Sequence, residues 1–213
     1  MRFYCGLDLA QASDFTASVL VERIEEEMAP VESEKGYRLM GDVADGGPPH
    51  YHVRGLYRYP RGTLYPAIVE DMNERMRKPP LADDVVLVID GTGVGAAVVD
   101  MFRVNPRRPC PIVPVLIMAG AGVTYNAPYW HVAKINLVAA VQRALQEGRL
   151  KIADVPERAT LLAELQNFQV KITAAANATY GAGDGWREGA HDDLCLALML
   201  ALWYAERPRP GIR

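Results

Sequence analysis

GLDLAQASDFTASVLVE, residues 6–22, is the stretch on which the fold turns. Apolar residues flank Asp8 on both sides, so the run through Leu7 and Leu9 reads as a strand, residues 2–10. A carboxylate inside such a strand is costly unless something pairs with it. Ser13 and Asp14 in "QASD" supply turn chemistry, and residues 15–23 read as a second strand folded back on the first. The segment therefore predicts two antiparallel strands with an acid in the first. What Asp8 pairs with is the question that organises the rest of the chain.

Working outward, "YHVRGLYRYP" (51–60) reads as a third strand, beyond the charged excursion "EEEMAPVESEKG" and the loop "DVADGGPPH". A helix follows, with Thr63 as its expected cap, Pro66 in its first turn and Leu64, Ile68, Met72 and Met76 at fourfold spacing. "DVVLVID" (84–90) is continuously apolar, as expected of a central strand covered on both faces. "GTGVG" opens a helix carrying Val94, Val98, Met101 and Phe102, and "PIVPVLIMA" reads as another buried strand. Ile135, Val138, Val141 and Leu145 mark a helix closed by Gly148. A short helix then bears Leu161, Leu162 and Leu165, and "NFQVKI" reads as a strand. A small-residue loop spans 174–190, and a helix apolar on nearly all sides begins near His191. No repeat or linker divides the chain. Residues 2–205 are expected to form one domain, a mixed sheet of three antiparallel strands followed by parallel ones, with helices on both faces, and 206–213 a frayed tail.

The 213 residues suffice for a substantial core, and 50% hydrophobic with 23% charged residues is ordinary for a globular protein. A net charge of −3 by itself argues mildly against a nucleic-acid partner. No signal peptide is read at Met1-Arg2-Phe3. The apolar run Leu194–Trp203 is too short to span a bilayer, so no membrane role is expected. Cys5, Cys110 and Cys195 form no CxxC pair and read as small core residues in a reducing cytosol.

Asp8 within a strand, Asp90 at the end of the central strand and Asp192–Asp193 at the start of a greasy helix all stand in unusual places. Singly, each has a plain explanation: backbone hydrogen bonding for Asp8, loop chemistry for Asp90, helix capping for the pair. Jointly they point elsewhere. Functional groups of an open sheet gather at the carboxyl ends of adjacent strands. If the first and fourth strands are neighbours, Asp8 and Asp90 converge, and a buried helix across that end brings Asp192 and Asp193 to them. Clustered carboxylates do not all stay ionised without compensation, and hard divalent cations with oxygen ligands compensate them. Asp8 is therefore expected to pair with Mg²⁺ or Mn²⁺. Two such ions about 4 Å apart form the clamp used for in-line phosphoryl displacement.

"YCGLDLAQASDFTA", "VIDGTGVGAAVVD", "LLAELQNFQVKI" and "EGAHDDLCLALMLALW", in this order, resemble the nuclease domain of phage large terminases, the DNA-packaging motors. The resemblance runs from about residue 2 to 205. It implies a ribonuclease H-like fold and metal-dependent endonuclease activity on double-stranded viral DNA in the host cytoplasm. It also implies a terminase ATPase domain, a portal and a small terminase subunit as partners. The family's acidic cluster maps onto Asp8, Asp90 and the Asp192–Asp193 pair, as catalytic residues and ligands of two metal ions. Which of the last two is the main ligand stays open. The motor's P-loop has no counterpart, because no GxxxxGK[ST] occurs. The chain is thus expected to be an excised nuclease domain or a stand-alone relative that needs no ATP.

His191, beside the acidic pair, is a candidate ligand, orienting residue or phosphate contact, against the plain reading of a histidine at a helix start. Lys134 follows "WHVA" where the family often has a basic residue, and is a candidate DNA phosphate contact rather than a solvated lysine. Asp14 and Thr16 are assigned structural roles. Small basic groups (Arg54, Arg58, Arg61; Arg75, Arg77, Lys78; Arg103, Arg107, Arg108) would have to line a groove if they hold DNA. Rival readings are a junction-resolving nuclease of the same fold, an actin- or sugar-kinase-like nucleotide-binding domain, and a docking module that does not cut. Preference for branched DNA, ATP binding and portal binding without cleavage would mark them respectively.

Overall fold

The computed structural model describes residues 2–10, 14–25, 47–106, 108–167 and 192–207. Its sheet contains β1 (Phe3–Asp8), β2 (Ala17–Ile24), β3 (His50–Arg58), β4 (Val85–Asp90), β5 (Ile112–Met118), β6 (Val123–Asn126), β7 (Tyr129–Ala133) and β8 (Leu150–Ile152). The helices are α1 (Tyr65–Met76), α2 (Gly95–Arg103), α3 (Lys134–Gln146), α4 (Arg158–Asn167) and α5 (Asp193–Ala205). The strand order is β6-β7-β5-β4-β1-β2-β3-β8. β1, β2 and β3 form the expected antiparallel run, and β4 and β5 add in parallel beside β1. This is the ribonuclease H-like arrangement. β2 and β6 run against the other strands, so β1, β3, β4, β5 and β7 all end at one edge of the sheet.

Period-two alternation sorts the core into two layers. Phe3, Cys5 and Leu7 of β1 join Val85, Leu87 and Ile89 of β4 under α1 and α2, around Ile68, Met72 and Phe102. Tyr4 of β1 and Val86 and Val88 of β4 face the other way, toward α5. The next residues in that alternation are Asp8 and Asp90. α5 lies directly on β1 and β2, with α3 and α4 packed against it, which is why this helix is apolar on all sides.

Gly6 fixes where α5 crosses. A Cβ at this position would overlap the Ala197 carbonyl oxygen and stand 3.1 Å from the Ala201 nitrogen. The bare backbone of β1 therefore seats the helix. Gly95 plays the same part for α2, since a Cβ there would overlap the Asp90 carbonyl oxygen.

Several local expectations are corrected. Thr63 is no cap: α1 begins after Leu64, and the Thr63 hydroxyl donates to the Pro60 carbonyl at 2.6 Å. The buried stripe of α3 runs through Leu137, Val138, Val141 and Ala144, leaving Leu145 exposed. β6, β7 and β8 were not expected. β6 is exposed at all four positions, and β8 has only three residues, so neither carries an apolar pattern. Cys5, Cys110 and Cys195 are free and buried. Of the expected tail, Glu206 pairs with Arg149 at 2.6 Å and Arg207 stacks 3.9 Å over Trp130. Residues 208–213, the strand expected at "NFQVKI" from residue 168 on, and the 174–190 loop lie outside the described residues.

Candidate metal and catalytic site

Asp8 ends β1 and Asp90 ends β4. These strands pair in parallel with Leu7 opposite Ile89, so the two aspartates are the next step of the same register. They leave the sheet on the α5 side, by the alternation above. α5 runs antiparallel to β1. Asp193 precedes Ala197 by one turn, about 6 Å of helix, and Asp8 follows Gly6 by two residues, a similar length of strand. The first turn of α5 thus comes to rest over the end of β1.

The electrostatics agree with this placement. Asp8 is 9% exposed. Burial holds its carboxyl well above the usual range, and Asp90, Asp193, Asp192 and Asp14 push it further the same way. Asp193 is 2% exposed. Burial raises its carboxyl to about 6, against the hydrogen bond that Arg58 Nη2 donates to its Oδ2 at 3.0 Å. Asp192 is the residue before the first turn of α5, and its side chain makes no capping hydrogen bond.

That cap comes from elsewhere. Glu164 of α4, itself buried, accepts the Cys195 backbone N–H through Oε2 at 2.8 Å. Its Oε1 is buried and without a hydrogen-bond partner among the described residues. Burial raises this carboxyl to about 7, with the Cys195 bond opposing and Asp193 adding to the rise. Nothing in the sequence pattern singles out Glu164, which sits in a mixed helix whose apolar residues draw the eye. The same is true of Arg58, whose partner Asp193 lies 135 positions away.

Asp90 Oδ1 accepts the Thr92 N–H at 2.8 Å, and Thr92 Oγ1 accepts the Ile117 N–H at 3.0 Å, so the β4 turn is tied to β5. Asp14 and Thr16 make local turn bonds, and Asp14 is also the carboxylate that, after burial, raises Asp193 most. Asp14 Oδ1 accepts the Phe15 N–H, and Thr16 Oγ1 accepts the Ala10 N–H. Lys134 opens α3 directly after β7, at the same sheet edge. Burial, then Glu164 and Asp192, push the Cys195 thiol up while Lys134 pulls against them, which sets all three charges around the first turn of α5. His191 lies outside the described residues. Of the basic groups, Arg54 pairs with Glu22, Arg75 with Asp71 and Lys78 with Glu74, so these cations already have carboxylate partners. Arg107 lies outside the described residues.

Among the described residues, no three His, Cys, Asp or Glu side chains stand as a ready-made ligand group for a metal ion. The chemistry of the donors nevertheless suits one. Asp8, Asp90, Asp192 and Asp193 offer only carboxylate oxygens, and Asp8 carries the mutual repulsion that a hard divalent cation would relieve.

No family model matches the chain, and neither does any curated protein. Solved structures do. The large terminase nuclease from thermophilic phage G20c is 17% identical with a TM-score of 0.53, over 93% of this chain and 80% of that one. The manganese-soaked terminase nuclease domain of human cytomegalovirus is 14% identical with a TM-score of 0.51, over 96% of this chain and 83% of that one. This chain has the fold of the terminase nuclease domains.

Proposed function

We propose that this chain is a divalent-cation-dependent endonuclease that cuts double-stranded viral DNA during genome packaging. The observation that carries the reading is the position of Asp8 and Asp90, each one residue beyond the Leu7–Ile89 pair, beneath the acidic first turn of α5, in a fold shared with terminase nucleases. Asp8, Asp90 and Asp193 would hold two Mg²⁺ or Mn²⁺ ions, with Asp192 supporting them. The manganese soaked into the cytomegalovirus neighbour is consistent with that choice. Such ions, when bound, lower the pKa of a coordinated water and stabilise the leaving oxygen of a phosphodiester. The carboxylates would bind and space the cations, Thr92 fixes the orientation of Asp90, and Glu164 fixes the first turn of α5. Lys134 stands at the same edge to meet a DNA phosphate. In packaging, a terminase ATPase domain, a portal and a small terminase subunit would deliver the DNA.

The chemistry is tested by end analysis of the products from linear duplex. Hydrolysis of this kind leaves 5′-phosphate and 3′-hydroxyl ends that ligase reseals, with no effect of ATP. Products bearing 3′-phosphates, or cleavage that persists in EDTA, would refute the reading. A strong preference for branched over linear duplex would reassign the chain to junction resolution.

A further inference from the structure

One row of the sheet runs level from β4 to β3. Asp90 and Asp8 each follow the Leu7–Ile89 pair by one residue, Asp8 pairs with Ala17, and Ala17 pairs with Arg58. Their side chains share the α5 face, so the row reads carboxylate, carboxylate, methyl, guanidinium. Ala17 is fully buried and small, so the row itself places no bulky side chain between Asp8 and Arg58. Arg58 is not a surface arginine. Its side chain is 15% exposed and that of its partner Asp193 is 3% exposed. Nη2 donates to Asp193, Nη1 lies 4.0 Å from Glu157 Oε2, and the guanidinium stacks 4.0 Å from the centre of the Phe15 ring. Its Nε is buried with no hydrogen-bond partner among the described residues. A guanidinium held this way is a poor phosphate contact, because reaching DNA would abandon the ion pair and the stacking together.

We propose that Arg58 is the resident counter-cation of the carboxylate cluster. It is a positioning residue that holds Asp193 over the end of β1 and offsets the acids until a divalent cation takes over that task. The inference rests on the metal-site reading given above, and the two can fail separately. A cluster with a built-in positive charge stays folded without metal, and the charge becomes less needed once metal is bound.

Thermal unfolding at pH 8, in EDTA and in saturating Mn²⁺, tests this on the wild type, Arg58→Gln, Asp193→Asn and the double variant. In EDTA, Arg58→Gln is expected to lower Tm by on the order of 10 °C. In Mn²⁺ the deficit should shrink to less than half. Against an Asp193→Asn background the same change should cost less than half as much as in the wild type. An equal Tm loss with and without Mn²⁺ would overturn the inference, since an arginine that merely packs is missed equally in both. So would an undiminished cost in the Asp193→Asn background. If Arg58→Gln does not fold in EDTA, recovery of the fold in Mn²⁺ supports the inference, and failure in both media overturns it. A wild type whose Tm ignores Mn²⁺ would sink the metal site itself, and this inference with it.

Discussion

Asp8 and Asp90 are the terminal residues of neighbouring parallel strands, one register step beyond the Leu7–Ile89 pair, and both face α5. Neither strand can shift without moving its acid to the opposite face, because side chains alternate with period two. The apolar residues of β1 and β4 thereby fix the spacing of the two carboxylates.

Gly6→Ala tests the seat of α5. The added methyl would meet the Ala197 carbonyl, which is backbone and cannot swing aside. Overpacking of this kind costs about 1–3 kcal/mol or more. Urea denaturation is expected to show that loss, together with reduced cleavage from a displaced first turn of α5. Unchanged stability would mean that the helix crosses elsewhere.

The pH dependence of the metal-free protein should run against the usual rise from acid toward neutrality. Asp8, Asp193 and Glu164 all have carboxyls raised by burial, Asp193 to about 6 and Glu164 to about 7. The folded state therefore binds these protons more tightly than the unfolded chain does. Their stabilisation is complete below the unfolded values, near 4, and is lost as pH rises through the folded ones. In EDTA, Tm should fall between pH 5 and pH 8, and Mn²⁺ should restore it at the upper end. A Tm that climbs over this interval without metal would contradict the buried acid cluster.

Asp192 and Asp193 should not be equivalent, since Asp193 is the first residue of α5 whereas Asp192 precedes it with non-helical backbone (φ −128°, ψ 21°). Asp193 is the more buried, and bears more strongly on Asp8 than Asp192 does. Asp193→Asn is expected to abolish plasmid cleavage, and Asp192→Asn to slow it about tenfold, as loss of a supporting partner does. The reverse order would make Asp192 the third ligand.

Glu164→Ala removes the acceptor for the Cys195 N–H and should cost about 1 kcal/mol, the worth of a helix cap. Glu164→Gln keeps an acceptor and removes a buried charge, so at pH 8 without metal it should match or exceed the wild type in Tm. Equal losses for both variants would show that the charge, not the cap, is what matters.

The acids at the strand ends were legible because each interrupts or ends an apolar run: Asp8 between Leu7 and Leu9, Asp90 after Val85–Ile89. The chain order of the elements carried the antiparallel-then-parallel sheet for the same reason. Arg58 and Glu164 were not legible as site residues. Their roles exist only through partners brought in by tertiary packing, Asp193 from 135 positions away and Cys195 from 31. β6 is not legible because an exposed edge strand needs no apolar alternation, and β8 because three residues carry no period. The plain reading of the acidic pair as a helix cap does not hold at Asp192, whose side chain makes no capping bond, and Glu164 accepts the Cys195 N–H instead.

The most direct measurement is nicking of supercoiled plasmid by the wild type and by Asp8→Asn, in Mn²⁺, in Mg²⁺ and in EDTA. The amide keeps the shape of the carboxylate and removes the charge that would hold a cation. The account predicts nicking by the wild type with either metal and none in EDTA. It predicts none by Asp8→Asn in any medium, although that variant stays folded with a Tm in EDTA equal to or above the wild type. Full nicking by a folded Asp8→Asn, or metal-independent nicking by the wild type, would contradict it.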